Sequence, residues 1–194
     1  PVDVRKLGAD LMTIVSHKFY GPKGIGALYI RKGVTVHPLL FGAGHERGLR
    51  PGTENVPGIA GFGKACELAG RYNKDRVLHM KKMTALLYQG LLEALPGIHI
   101  NGHETLRLPN TVNICIPGID AIRLLESIQS QVASSTGSAC HSGQRKPSPV
   151  LTAMGIAEGD ALSSLRLSTG KDTTEDEIKE AVEIIARAAQ GQRP

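Results

Sequence analysis

Cys140 is the residue that this sequence best places for nucleophilic chemistry. It lies in a polar stretch rich in Gly and Ser, Gly137 to Pro147, with His141, Arg145 and Lys146 close behind it. Positive charge beside a thiol favours the thiolate, which is the attacking form. An idle thiol in such a loop would be unusual, because free cysteines are mostly buried. Lys18 is a second candidate. It follows an apolar run, Leu11, Met12, Ile14 and Val15, with Ser16 and His17 between. An amine desolvated by such neighbours loses its proton more readily, as Schiff-base chemistry requires. On pattern alone the plainer reading of Lys18, a solvated lysine opening a hairpin loop, is the stronger. A third stretch, Gly42 to Thr53, holds Gly42, Gly44, Gly48 and Gly52 with Arg47 and Arg50. Glycines let backbone amides approach an anion, and arginine forks match phosphate or carboxylate. A surface loop with solvated arginines fits that composition equally well.

These residues must be positioned by the elements around them. Leu11–Val15 and Ile25–Ile30 read as two strands joined through Gly21, Pro22 and Gly24, with Val2, Val4 and Leu7 as packing positions before them. Asn55 caps a helix with Pro57 in its first turn, and Ile59, Phe62, Cys66 and Ala69 share one face, which makes Cys66 a core residue. Asn73 is placed to cap a further helix running to Leu95, stopped by Pro96-Gly97, with Val77, Met80, Thr84, Leu87, Leu91 and Leu95 as its apolar stripe. Ile98–Ile100 and Thr111–Ile116 read as strands, and Cys115 in the middle of the second is structural. Asp120 caps a helix through Ser130, with Ile119 and Leu124 placed as a hydrophobic staple. Val132–Thr136 reads as a short strand, Ser148-Pro149 opens a helix that Gly155 ends, and Leu165–Thr169 is another strand. Thr174 to Glu177 has the capping-box pattern of a last helix, with Ile178, Val182, Ile185 and Ala189 on one face. From Asn73 onward this order predicts an α+β domain with a mixed or antiparallel sheet. Residues 1–72 read as the end of a different, larger domain.

The composition excludes several classes. Of 194 residues, 41% are hydrophobic and 21% charged, the profile of a soluble globular protein, and no apolar run approaches membrane-spanning length. The net charge of +5 is spread along the chain and aromatics make up only 4%, so a nucleic-acid surface is not indicated. Three cysteines without CxxC spacing argue against a disulfide framework or a structural metal site, and for a reducing compartment. Gly21 and Gly26 have phosphate-loop spacing, but Ala27 and Leu28 stand where Lys and Ser or Thr are needed.

The segment SHKFYGPKGIGALY (16–29) resembles the cofactor-lysine segment of the NifS/IscS-type cysteine desulfurases and the related selenocysteine lyases, pyridoxal-phosphate (PLP) enzymes of the class V aminotransferase family. The resemblance continues through GAGHERGLRPGTENVPGIAGFGKA (42–65), RLPNTVNI (107–114), SSTGSACHSG (134–143) and LRLSTG (165–170). It implies the carboxyl half of a fold type I, α/β PLP-dependent transferase. Residues 1–72 would be the carboxyl-terminal part of the large PLP-binding domain, and 73–194 a complete α+β small domain carrying the cysteine loop.

The resemblance also implies roles. Lys18 would carry PLP covalently and move the substrate proton, with Ser16 and His17 holding the cofactor phosphate. Thr53 matches a threonine that reaches the phosphate in the neighbouring subunit's site, which implies a homodimer. Arg166 matches the arginine that pairs with the substrate α-carboxylate; by itself it reads equally as an exposed strand residue beside Leu165 and Leu167. Cys140 matches the cysteine that takes sulfur from L-cysteine as a persulfide, leaves L-alanine, and passes the sulfur to an acceptor protein, as in iron–sulfur cluster assembly. No metal, nucleic acid or membrane is implied, and the location expected is the cytoplasm. Val15 stands where such desulfurases commonly carry a serine, and CHS follows the nucleophile as in selenocysteine lyases, so L-selenocysteine is the alternative substrate. An aminotransferase, which needs no thiol, and a half-length interaction module without turnover are the remaining alternatives.

Overall fold

The computed structural model describes residues 2–135 and 146–193. The chain divides into two compact units, Pro1–Asn73 and Lys74–Pro194.

In the first unit β1 (Leu11–Val15) and β2 (Gly26–Ile30) form an antiparallel pair, Leu11 opposite Ile30 and Val15 opposite Gly26. Between them the chain makes a 3₁₀ turn, Ser16–Phe19. A second 3₁₀ turn, His45–Gly48, lies in the glycine-rich loop. Helix α1 (Val56–Ala94) then begins, and Asn55 caps it as expected, its Oδ1 accepting the Gly58 N–H at 3.0 Å. Among the described residues of this unit only Ser16 and Ala65 are buried. Val2 and Leu7, expected to pack, are 77% and 63% exposed.

The break between two helices expected at Asn73 does not occur. Asn73 lies inside α1, not at its cap. An interior Asn costs a helix only a few tenths of a kcal/mol, roughly 0.5 relative to Ala. Starting a second helix would cost a new nucleus. Glu67 also ties Lys64 and Arg71 along the helix surface, at 2.7 and 3.1 Å.

In the second unit β3 (His99–Ile100), β4 (Thr111–Cys115) and β5 (Ser164–Ser168) form an antiparallel sheet with β4 in the middle. Val112 and Ile114 of β4 meet Leu167 and Leu165 of β5 in register, and all four are buried. Leu87 and Leu91 of α1 and Leu95 just after it join this core, with Leu124 and Ile128 of α2 (Ala121–Ile128) and Ile178 and Ile185 of α5 (Glu175–Gln190). Each such side chain contributes about 1.5–3 kcal/mol of burial. The predicted caps form: Asp120 Oδ1 accepts from Ile122 N–H and Arg123 N–H, and Thr174 and Glu177 bond each other's backbone N–H groups. α3 (Pro149–Ala153) starts at the expected Ser-Pro. The sequence reading missed α4 (Glu158–Leu162), a single short turn of helix. The strand expected over Val132–Thr136 is reduced, among the described residues, to one bridge between Ser135 and Arg166.

Candidate active site

The lysine turn is held from two sides. Ser16 N–H donates to the Ile25 carbonyl at 3.1 Å, which closes the hairpin behind it. Gly21 N–H donates to the Ser16 carbonyl at 3.1 Å, and Tyr20 completes the turn at a left-handed φ of 72°. That conformation costs a residue with a Cβ about 1 kcal/mol or more, so the surroundings must impose it. They do so through α1: Phe19 meets Phe62 at 5.7 Å between ring centroids, and Gly21 lies against Ala65. A Cβ on Gly21 would sit 2.0 Å from Ser16 Oγ and 2.9 Å from Ala65 Cβ, so only glycine fits.

On this turn His17 and Lys18 are exposed and Ser16 is fully buried. Ser16 Oγ finds no hydrogen-bond partner among the described residues. A buried hydroxyl without a partner carries a desolvation penalty, about 1–3 kcal/mol. An accessible amine on a fixed backbone, next in sequence to an exposed imidazole, suits an aldehyde that also bears an anionic group. The residues present therefore fit PLP.

The loop before α1 is shaped by Arg50. Its Nη1 donates towards three successive carbonyls, Pro51 at 3.3 Å, Gly52 at 2.6 Å and Thr53 at 3.4 Å. Its Nη2 lies 3.8 Å from Glu46 Oε1. Glu46 and Arg47 both adopt left-handed φ, 47° and 59°. Arg50, read from composition as an anion fork or a solvated side chain, here organises its own loop. Thr53 is exposed at the end of that loop.

In the second unit Arg166 sits mid-strand in β5, opposite Asn113 of β4 and half-buried. Its neighbours Leu165 and Leu167 point into the core, so Arg166 takes the opposite face. Arg166 N–H donates to the Ser135 carbonyl at 2.7 Å, and Ser135 N–H returns a bond at 3.4 Å. Ser134 Oγ beside it is buried without a partner among the described residues. Sequence reasoning gave Ser134 and Ser135 no part of their own, although they open the stretch that leads to Cys140. Cys140, His141 and Arg145 lie outside the described residues, and Lys146 is exposed.

The other two cysteines differ sharply. Cys115 is fully buried, and its thiol is pushed up to about 11, by burial first and by the Asp160 carboxylate second. It is a poor nucleophile. Cys66, expected in the core, is exposed. The buried position on that face of α1 is Ala65, which receives Gly21. Among the described residues no cluster of His, Cys, Asp or Glu could hold a metal ion, and no helix is long and apolar enough to cross a membrane.

Residues 1–181 match the family model described as aminotransferase class-V. The chain is 45% identical over 191 residues to the cysteine desulfurase IscS of Methanosarcina thermophila, covering 98% of this chain and 47% of that protein. It is 45% identical over 186 residues to cysteine desulfurase 2 of Trichormus variabilis, covering 95% of this chain and 46% of the relative. Among solved structures, a NifS-like protein superposes with a TM-score of 0.87 at 35% identity, over 98% of this chain and 49% of the other. A NifS-like protein from Rickettsia africae gives 0.86 at 33% identity, over 98% and 50%. The chain thus spans about half the length of the curated relatives it matches.

Proposed function

The chain belongs to the aminotransferase class-V family, and on that premise we propose that it is the carboxyl-terminal part of a PLP-dependent cysteine desulfurase. Its fold is that of the NifS-like proteins, transferases of fold type I. The reaction would release sulfur from L-cysteine, leave L-alanine, and load the sulfur on Cys140 as a persulfide for an acceptor protein. The observation that carries this reading is the exposed Lys18 amine on a backbone turn pinned between the hairpin and α1.

PLP, when bound, supplies the electron sink for the substrate's α-carbon. The chain's own residues do the rest. Lys18 would hold the cofactor and carry the proton to and from substrate. Ser16 and His17, the second of them exposed, would receive the phosphate. Thr53 would reach the phosphate across a homodimer. Arg166 would pair with the substrate carboxylate through its guanidinium fork. Cys140 would present the thiolate that takes the sulfur, aided by the positive groups that follow it in sequence. Free thiols at Cys66 and Cys115 suit a reducing compartment, which supports the cytoplasm as its location. Residues 1–72 would be the end of the large domain and 73–194 the small domain.

Val15 and the CHS sequence after the nucleophile favour a second reading, L-selenocysteine as substrate. The two readings separate by kcat/KM on both amino acids: discrimination of many orders for L-selenocysteine would select the lyase. The site itself is tested by borohydride reduction of the full-length holoenzyme followed by peptide mapping. The adduct is expected on Lys18. An adduct on Lys23 or Lys32, or none, would refute the assignment.

A further inference from the structure

Arg50 draws three consecutive carbonyls, those of Pro51, Gly52 and Thr53, towards one nitrogen. None of the described peptide bonds is cis. In a trans peptide the N–H points opposite to the carbonyl of the preceding residue. Each carbonyl turned to the guanidinium therefore turns the next N–H outward, at Gly52, Thr53 and Glu54. Gly52 makes this curl possible with a φ of 100°, a value L side chains rarely adopt. The far end of the segment is fixed as well. Asn55 caps α1 through its side chain at Gly58 N–H and through its carbonyl at Ile59 N–H, 3.0 and 2.8 Å. Thr53 is thus held between a guanidinium-organised turn and a helix cap, and it is exposed.

We propose that Arg50 is a positioning residue for the cofactor's phosphate: it sets the conformation in which Thr53 offers its hydroxyl and the outward amides to that anion. The proposal rests on the reading of Thr53 given above. It assigns Arg50 an indirect task. The guanidinium binds backbone carbonyls and leaves the phosphate to Thr53, although its charge could have been used on the anion directly.

The test is the affinity of the full-length apo protein for PLP and for pyridoxal, which lacks the phosphate, followed by absorbance. Arg50→Gln should weaken PLP by about 5- to 10-fold, the order of one net hydrogen bond, and leave pyridoxal unchanged. Gly52→Ala should do the same, because an L side chain strains the turn at a φ of 100°, while the added Cβ, 3.5 Å from Arg50 Nη1, makes only an ordinary contact with the arginine. Combined with Thr53→Ala, Arg50→Gln should cost less than the sum of the two single losses, since part of its effect passes through the Thr53 hydroxyl. Equal weakening of PLP and pyridoxal would show a general structural effect and overturn the proposal. Full additivity with Thr53→Ala would mean that Arg50 binds the phosphate itself, and unchanged PLP affinity in both single variants would mean that the turn is irrelevant; either result overturns it. A wild-type protein that binds PLP no better than pyridoxal would instead refute the reading of Thr53.

Discussion

Ser135 and Arg166 exchange both of their backbone hydrogen bonds, Arg166 N–H to the Ser135 carbonyl at 2.7 Å and Ser135 N–H to the Arg166 carbonyl at 3.4 Å. The bridge fastens the segment that leads to Cys140 to the outer edge of β5. It uses no side-chain atom of Arg166. A substitution at Arg166 that leaves the backbone in place leaves these two bonds in place.

Arg166→Lys should keep this backbone bridge and impair substrate binding. A lysine keeps the charge but loses the two-pronged match to a planar carboxylate. In the full-length enzyme kcat/KM for L-cysteine should fall about 10-fold or more, mainly through KM, while cofactor absorbance and melting temperature stay near wild type. Unchanged kinetics would remove Arg166 from the substrate site.

The thiols should separate by reagent and by pH. A maleimide at neutral pH should label Cys66 rapidly and Cys115 only after denaturation, because Cys115 is enclosed and held neutral. Burial raises the Cys115 thiol from 9.0 to about 11, so the fold favours its protonated form. Stability from this group is complete below pH 9 and is lost as pH rises towards 11. Melting temperature measured across that interval should fall more steeply in the wild type than in Cys115→Ala. Parallel curves would show that Cys115 does not titrate with unfolding.

Gly21→Ala should damage the lysine turn. The added methyl would meet Ser16 Oγ and Ala65 Cβ at distances that real side chains do not tolerate. A cost of about 1–3 kcal/mol is expected, typical of overpacking, read as a lower urea midpoint at an unchanged slope. Borohydride trapping at Lys18 should decline with it. Wild-type stability in this variant would mean that the turn is free to move.

The sequence by itself determined whatever is written within about four residues. Asp120 and Thr174 cap their helices as read, since a cap joins a side chain to amides two or three positions on. The alternation of Val112 and Ile114 with Asn113 placed β4's buried face without reference to any partner. Ser16, His17 and Lys18 were found as one group because they are adjacent.

Tertiary structure decided what depends on distant neighbours. Cys66 and Ala65 both fit an apolar stripe, and only the approach of Gly21 to α1 selects Ala65 for burial. Asn73 carries a cap's chemistry, yet the helix hydrogen bonds on both sides of it outweigh the cap. Arg50 looks like an anion fork until the carbonyls of Pro51, Gly52 and Thr53 close on it. Ser135 acquires its meaning from Arg166, a residue remote in sequence. A side chain's type fixes the bonds it can make; the folded backbone, by bringing particular groups within reach and removing water from others, fixes which of them it does make.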